Sequence, residues 1–229
     1  MRLLLPEPRE LAAQDLLDLY DPGNAPSVRA GFVMSTDGAV TQDGSSRPLQ
    51  SPADEAVFHA LRAVADAVVV GAGTARKERY GPVRPRPDGR AWRAARGRSA
   101  GPPLVLVSRS LDLDPVEGAV VVTCAAAEGR DRFPDVVVAG HDEVDLAEAV
   151  RQLNDRGLTR LLCEGGPQLH TALIRAGLVD ELCLTHTPRL LGPAPGLLTE
   201  PMLRELDLQH LVDGGNGVLL ARYRVRSAS

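Results

Sequence analysis

Aromatic residues supply only 3% of this 229-residue chain. Its core must therefore be built from valine, leucine and alanine, which suits a largely parallel, buried sheet. Lysine is almost missing: Lys77 is the single one, and nearly all positive charge is arginine. The net charge is −4, and no basic stripe is interleaved with aromatics, so general nucleic-acid binding is excluded. No segment approaches a membrane span, and the opening Met1–Pro6 holds too short an apolar run for a signal peptide. The three cysteines, Cys124, Cys163 and Cys183, lack metal-ligand spacing, so no metal is expected. They read as small buried hydrophobes in a reducing cytoplasm. Internal repeats and low-complexity tracts are also lacking.

What is present is a grammar of strands feeding helices. Residues 10–20 place Leu11, Leu16, Leu17 and Leu19 at helical spacing, before the breaker Asp21-Pro22-Gly23. Residues 1–27 therefore read as an N-terminal helix and extension, and 28–229 as a single domain. Val28 to Ser35 is a strand. Ser51 starts a helix as N-cap, with Pro52 at its first position, and this helix runs to about Ala65. Strands follow at 67–70, 104–107, 119–122, 136–139 and 161–163, with helices at 74–79, 145–155 and 167–176. Residues 84–103 carry six arginines with little hydrophobic pattern and read as a loop: either a solvated one or a mobile flap that attracts phosphate. After 180 the pattern changes to alternation at 180–188, 206–212 and 217–226, an antiparallel ending turned through Asp213-Gly214-Gly215-Asn216. The sum is an α/β domain on a mixed, mostly parallel sheet.

Two glycine turns stand out. Val70-Gly71-Ala72-Gly73-Thr74 and Cys163-Glu164-Gly165-Gly166-Pro167-Gln168-Leu169 each join a strand to a helix. Free backbone N–H groups at such helix starts bind phosphate. Two of them, the second with a carboxylate at the strand end, suggest a pocket for a long phosphorylated cofactor. The first turn fails the dinucleotide fingerprint because Arg76 stands where glycine is needed. After the next strand, Ser108-Arg109-Ser110 is either a polar turn or a seat for a 2′-phosphate, which would favour NADP over NAD. Glu164, at the carboxyl end of a buried strand, needs a partner or a function.

Several of these segments agree in order with one family. Phe32-Val33-Met34-Ser35-Thr36-Asp37-Gly38 resembles the "MSLDG" segment of the reductase domain of bacterial riboflavin biosynthesis. Leu61-Arg62 with Asp66 to Thr74 resembles its "LRA…DAILVGAGT". Glu164-Gly165-Gly166, Gly177 to Leu182 and Pro188 to Gly192 resemble its "EGG…AGLVDEL…APKLLG". The resemblance spans about residues 28–192. It implies a dihydrofolate-reductase-like fold, a three-layer sandwich. It implies a homodimer that uses NADPH to reduce the ribosyl group of 5-amino-6-(5-phosphoribosylamino)uracil. On that resemblance Val33, Thr74, Arg109 and the run from Gly166 to Ala172 contact NADPH, Ser46, Arg62 and Glu164 face the phosphorylated heterocycle, and Arg84 matches a phosphate-binding arginine. Glu164 is then the first candidate catalytic residue. Asp37, otherwise a turn residue, is the second.

The chain departs from the pattern twice. Ala39 stands where the family has a basic residue after "SLDG", and Lys77-Glu78-Arg79-Tyr80-Gly81-Pro82 replaces a "DDP" element. Both flank the expected substrate pocket. Besides the pyrimidine reductase, two readings stay open: a reductase of another heterocycle such as dihydrofolate, and a non-catalytic NADPH-binding paralogue. No zinc deaminase signature is present.

Overall fold

Valine-rich strands with opposite faces buried in two separate cores form the middle of one sheet. In β4 (Ala67–Gly71), Val68 and Val70 enter one core while Ala67 and Val69 enter the other. β5 (Leu104–Val107) and β6 (Val120–Thr123) alternate in the same way. That two-sided burial is what a parallel strand covered by helices requires. The structure is a computed structural model that describes residues 1–226. Eleven strands form one sheet. The parallel part runs, in spatial order, β9 (Glu181–Thr187), β3 (Ser27–Ser35), β8 (Arg160–Gly165), β4, β5, β6 and β7 (Val136–Val138). Beyond β9 the sheet turns antiparallel through β11 (Val218–Val225), β10 (Leu206–Gly215), β1 (Arg2–Leu5) and β2 (Arg9–Glu10).

Helices α1 (Ala13–Leu19), α2 (Pro52–Val64), α3 (Ala72–Glu78) and α4 (Pro87–Ala94) cover one face, and α5 (Leu146–Asp155) and α6 (Pro167–Arg175) the other. The three-layer α/β architecture is the one expected. Ser51 caps α2 as expected, accepting the Asp54 N–H at 3.2 Å.

Two expectations are corrected. The segment read as a helix over 10–20 is helical only at Ala13–Leu19, and Arg2–Leu5 pairs with β10 as a sheet strand. A run of only four residues, closed by Pro6, gives too short an alternation to read from sequence. The arginine-rich stretch is not a bare loop. Pro87 starts α4, and Arg93 of that helix is only 2% exposed. Its guanidinium donates to the carbonyls of Ala63, Ala65 and Ser99 at 2.6–3.0 Å, closing the end of α2. A cation on the terminal carbonyls of a helix satisfies orphan acceptors and meets the negative end of the dipole. Trp92 is also buried, with Arg96 stacked 3.9 Å from its ring centre.

Two buried histidines tie the fold to pH. His170, 0% exposed, and His210 are held neutral by burial down to about 4. Unfolded histidine titrates near 6.5, so between those values the unfolded chain binds more protons, and stability is lost as pH falls from about 6.5 toward 4. Asp54, which burial raises to about 6, and Asp180, which burial also raises, oppose this, while burial of His59 and His186 works in the same direction as His170 and His210. The expected outcome is a net loss of roughly 3 kcal/mol on acidification from pH 7 to 4.5. Denaturant melts of the wild type and a His170→Met/His210→Met variant check this. An equal acid loss in both would clear the histidines.

Candidate active site

β8 and β4 are adjacent parallel strands, so both glycine turns emerge side by side at their carboxyl ends. The turns touch. A side chain on Gly71 would meet Leu169 at 3.7 Å and the Gly165 carbonyl at 3.8 Å, and one on Gly166 would collide with Thr74 Oγ1. Gly165 has φ +96°, and a Cβ there would lie 2.8 Å from the Phe32 ring. The approaches at Gly165 and Gly166 need glycine. α6 opens just beyond, with Pro167 at its first position and the Gln168 and Leu169 N–H groups in its first turn. This cradle, open backbone donors beside a threonine hydroxyl, fits a pyrophosphate. β5 lies next to β4, which brings Ser108 and Arg109 to the same end of the sheet. The Ser108 hydroxyl accepts the Leu111 N–H at 3.0 Å and is buried. Arg109 is exposed and pairs with Glu143, an exchangeable surface contact.

Beside this cradle, over the ends of β3, β8 and β9, a cleft of about 270 Å³ opens between the sheet and α2. Phe32, Val33, Val57, Phe58, Leu61 and Leu162 give it apolar walls. Asp54, Ser46, Lys77, Glu78 and Glu164 give it polar points. Glu164 is placed by a bulge: Val69 pairs with Cys163 and Val70 with Gly165, which leaves Glu164 unpaired on the ladder. Its side chain is 3% exposed and bound in a fork to Arg62, with Nε to Oε1 and Nη2 to Oε2 both at 2.7 Å. Tyr80 donates its hydroxyl to Oε2 at 2.8 Å. Arg62 in turn lies 4.0 Å from the Phe58 ring centre. Burial, and then the Glu164 carboxylate, push the Tyr80 phenol well above its ordinary value, so it stays a donor.

Of the residues singled out in the sequence, Val33, Ser46, Thr74, Glu164, Gly166 and Pro167 line the cleft. Gly71, Gly165 and Leu169 abut them. Gly73 is open on α3. Arg62 reaches the site through Glu164. Arg84 is exposed and is not among the cleft-lining residues. Asp37 also stands outside the lining: it accepts from the Ser35 hydroxyl at 2.5 Å and from the Leu191 and Gly192 N–H groups. The Ser35 hydroxyl and these amides hold its carboxyl below the usual range, so Asp37 is a clamp on the loop after β9. Missed in the sequence were Tyr80, Asp54 and Lys77. Tyr80 lay in the segment that departs from the family pattern, which was the available signal. Asp54 stands in the first turn of α2, where an acid is ordinary.

Comparison with known proteins gives one family and several relatives. The model of the RibD C-terminal domain matches residues 26–220. The riboflavin biosynthesis protein RibD of Mycobacterium tuberculosis is 32% identical over 170 residues, covering 73% of this chain and 43% of that protein. A 2,5-diamino-6-ribosylamino-4(3H)-pyrimidinone 5′-phosphate reductase of Aquifex aeolicus is 26% identical over 176 residues, covering 69% of this chain and 75% of the relative. The crystal structure of a pyrimidine reductase-like protein from Corynebacterium diphtheriae superposes with a TM-score of 0.85 at 30% identity, over 95% of this chain and all of that one. Dihydrofolate reductase from Enterococcus faecalis shares the fold, with a TM-score of 0.52 at 14% identity over 88% of this chain and 97% of that chain.

Proposed function

The chain belongs to the RibD C-terminal domain family of riboflavin-biosynthesis reductases, and from that premise we propose that it uses NADPH to reduce the ribosyl group of a phosphoribosylamino-pyrimidine to its ribityl form. The observation that carries this reading is the contact of the two glycine turns beside a cleft ending in the Arg62–Glu164–Tyr80 cluster. NADPH, when bound, supplies a hydride. The Gln168 and Leu169 N–H groups and the Thr74 hydroxyl would hold its phosphates, and Arg109, now paired with Glu143, would take the 2′-phosphate. The apolar walls exclude water from the reacting centre. Oε1 of Glu164 accepts only from Arg62 Nε, which leaves it room for a donor on the substrate. Glu164 orients the ribosylamine there and holds a proton during opening of the sugar ring. Arg62 and Tyr80 fix the carboxylate in place. Lys77 has no carboxylate partner among the described residues. With Ser46 it stands at the rim to receive the substrate phosphate.

Steady-state assays test the reading. NADPH absorbance should fall in step with ribityl product when the phosphoribosylamino-pyrimidine is supplied. Turnover of dihydrofolate alone would overturn it.

Cofactor choice should follow Arg109. Arg109→Ala is expected to raise the KM for NADPH roughly tenfold, the size of a charge-assisted phosphate contact, and to spare NADH. Equal losses for both cofactors would remove Arg109 from discrimination.

We also propose a homodimer through the antiparallel end of the sheet. Leu206, Leu208 and Leu219 are exposed on β10 and β11. Leu206 and Leu208 pair with Val225 and Tyr223, so these apolar side chains share one face. Sedimentation at micromolar protein should show twice the 24.4 kDa chain mass. A monomer alone would contradict the proposal.

A further inference from the structure

Tyr80 does not stand behind Glu164; it lines the cleft beside it, in the segment that departs from the family pattern. Arg79 ends α3 in the left-handed region, and the Tyr80 N–H closes the turn on the Ala75 carbonyl at 2.9 Å. From there the phenol reaches Glu164 and donates to Oε2 at 2.8 Å. Oε2 then has two donors, Arg62 Nη2 and Tyr80, while Oε1 has Arg62 Nε alone. A substrate N–H therefore goes to Oε1.

Opening the sugar ring needs a proton removed at one substituent of C1′ and a proton supplied at another. The ribosylamine nitrogen and the ring oxygen O4′ are both bonded to that carbon. As the nitrogen gives its proton to Oε1, its electron pair becomes the C1′=N bond and the C1′–O4′ bond breaks. O4′ leaves as an alkoxide unless a proton reaches it. Because the two atoms share a carbon, the donor must sit beside the carboxylate that holds the nitrogen. Among the described residues two side chains bond to that carboxylate, Arg62 and Tyr80. A guanidinium keeps its protons, whereas a phenol can give one up.

The pair is also coupled in the right sense. Burial and then the Glu164 charge keep the phenol protonated at rest, while the Arg62 guanidinium, 5.5 Å from the ring centre, favours the phenolate. A proton arriving at Oε1 removes the carboxylate charge and leaves the guanidinium. Tyr80 becomes the stronger acid as O4′ comes to need one.

We propose that Tyr80 is a catalytic acid that hands its phenol proton to the ring oxygen of the substrate while Glu164 takes the proton of the ribosylamine nitrogen. The inference rests on the pyrimidine-reductase reading. Return of one proton from the Glu164 carboxyl to the Tyr80 oxygen restores the pair. Ring opening therefore consumes no proton and yields an open-chain imine isomeric with the ribosylamine. Hydride addition at C1′ follows, and the nitrogen takes its proton from water.

The experiment compares wild type with Tyr80→Phe in single turnovers of the phosphoribosylamino-pyrimidine, once with NADPH and once with NADPH deuterated at the transferring C4 position. Melting temperature and NADPH affinity check the fold. Tyr80→Phe should cut the rate roughly tenfold, less than the full worth of an acid because water enters where the hydroxyl stood. It should also pull the isotope ratio toward one, since ring opening and not hydride transfer then limits the rate. A folded variant with a rate near that of wild type would overturn the inference and leave the reductase reading standing. So would a slower variant that keeps the wild-type isotope ratio, which marks Tyr80 as a support for Glu164 alone. A wild type that binds NADPH and never reduces the substrate would overturn the reading, and the inference with it.

Discussion

Glu164→Gln should lower turnover roughly a hundredfold, the usual size of a lost acid–base group. It should leave NADPH affinity nearly unchanged, because the cofactor is held through backbone donors of α6 and Thr74. The amide keeps one acceptor oxygen for Arg62 but removes the charge that the guanidinium faces at 2.7 Å. Breaking one side of such a buried pair costs about 3 kcal/mol. In a chain of this size that lowers the melting temperature by roughly 6–12 °C. Stability and turnover must therefore be read on the same preparation, with rates taken per folded molecule well below the melt. Tyr80→Phe is the companion variant. It removes one hydrogen bond to Oε2 and keeps the ion pair. Its expected loss in stability is about 1 kcal/mol, with a smaller loss in turnover. A folded Glu164→Gln protein turning over near the wild-type rate would take Glu164 out of the chemistry and leave it a structural carboxylate.

Gly165→Ala should damage both halves of the site at once. The residue has φ +96°, where L side chains are strained by roughly 1–3 kcal/mol. Its new Cβ would also lie 2.8 Å from the Phe32 ring, which is itself a cleft wall. The backbone must shift, and it carries Glu164 on one side and the start of α6 on the other. The expected result is NADPH binding weakened at least tenfold, about 1.4 kcal/mol, together with a lower melting temperature. Gly81→Ala is the control, since nothing lies within 4 Å of its Cβ position. Isothermal titration of NADPH into both variants separates them. Similar losses in the two would mean that the close packing of the turns is irrelevant to the cofactor.

The parts of this fold that rest on local chemistry were legible in the sequence. Ser51 and Pro52 favour a helix start by local chemistry alone, and the glycines at 165 and 166 sit where a side chain would collide with Phe32 or Thr74. The largely parallel character of the sheet, though not its strand order, followed from valine runs buried on both faces. What stayed hidden depends on partners far along the chain. Asp54 looks solvated on a helical wheel until β9 brings Thr185 against it. Tyr80 meets Glu164 from 84 residues away, after Arg79 in the left-handed region ends α3. Arg93 resembles its exposed neighbours, yet the carbonyls at the end of α2 hold it in the interior. Asp37 was the opposite case: the family resemblance gave it a pocket role, while its carboxylate takes its donors from the loop at Leu191–Gly192.

Isotope transfer tests the central claim most directly. Purified protein would be given the phosphoribosylamino-pyrimidine together with NADPH deuterated on the transferring face of nicotinamide C4, and the product examined by mass spectrometry and NMR. One deuterium at C1′ of a ribityl product is the predicted result, with the heterocycle unlabelled. Deuterium on the ring, or NADPH bound but never oxidised, would contradict it.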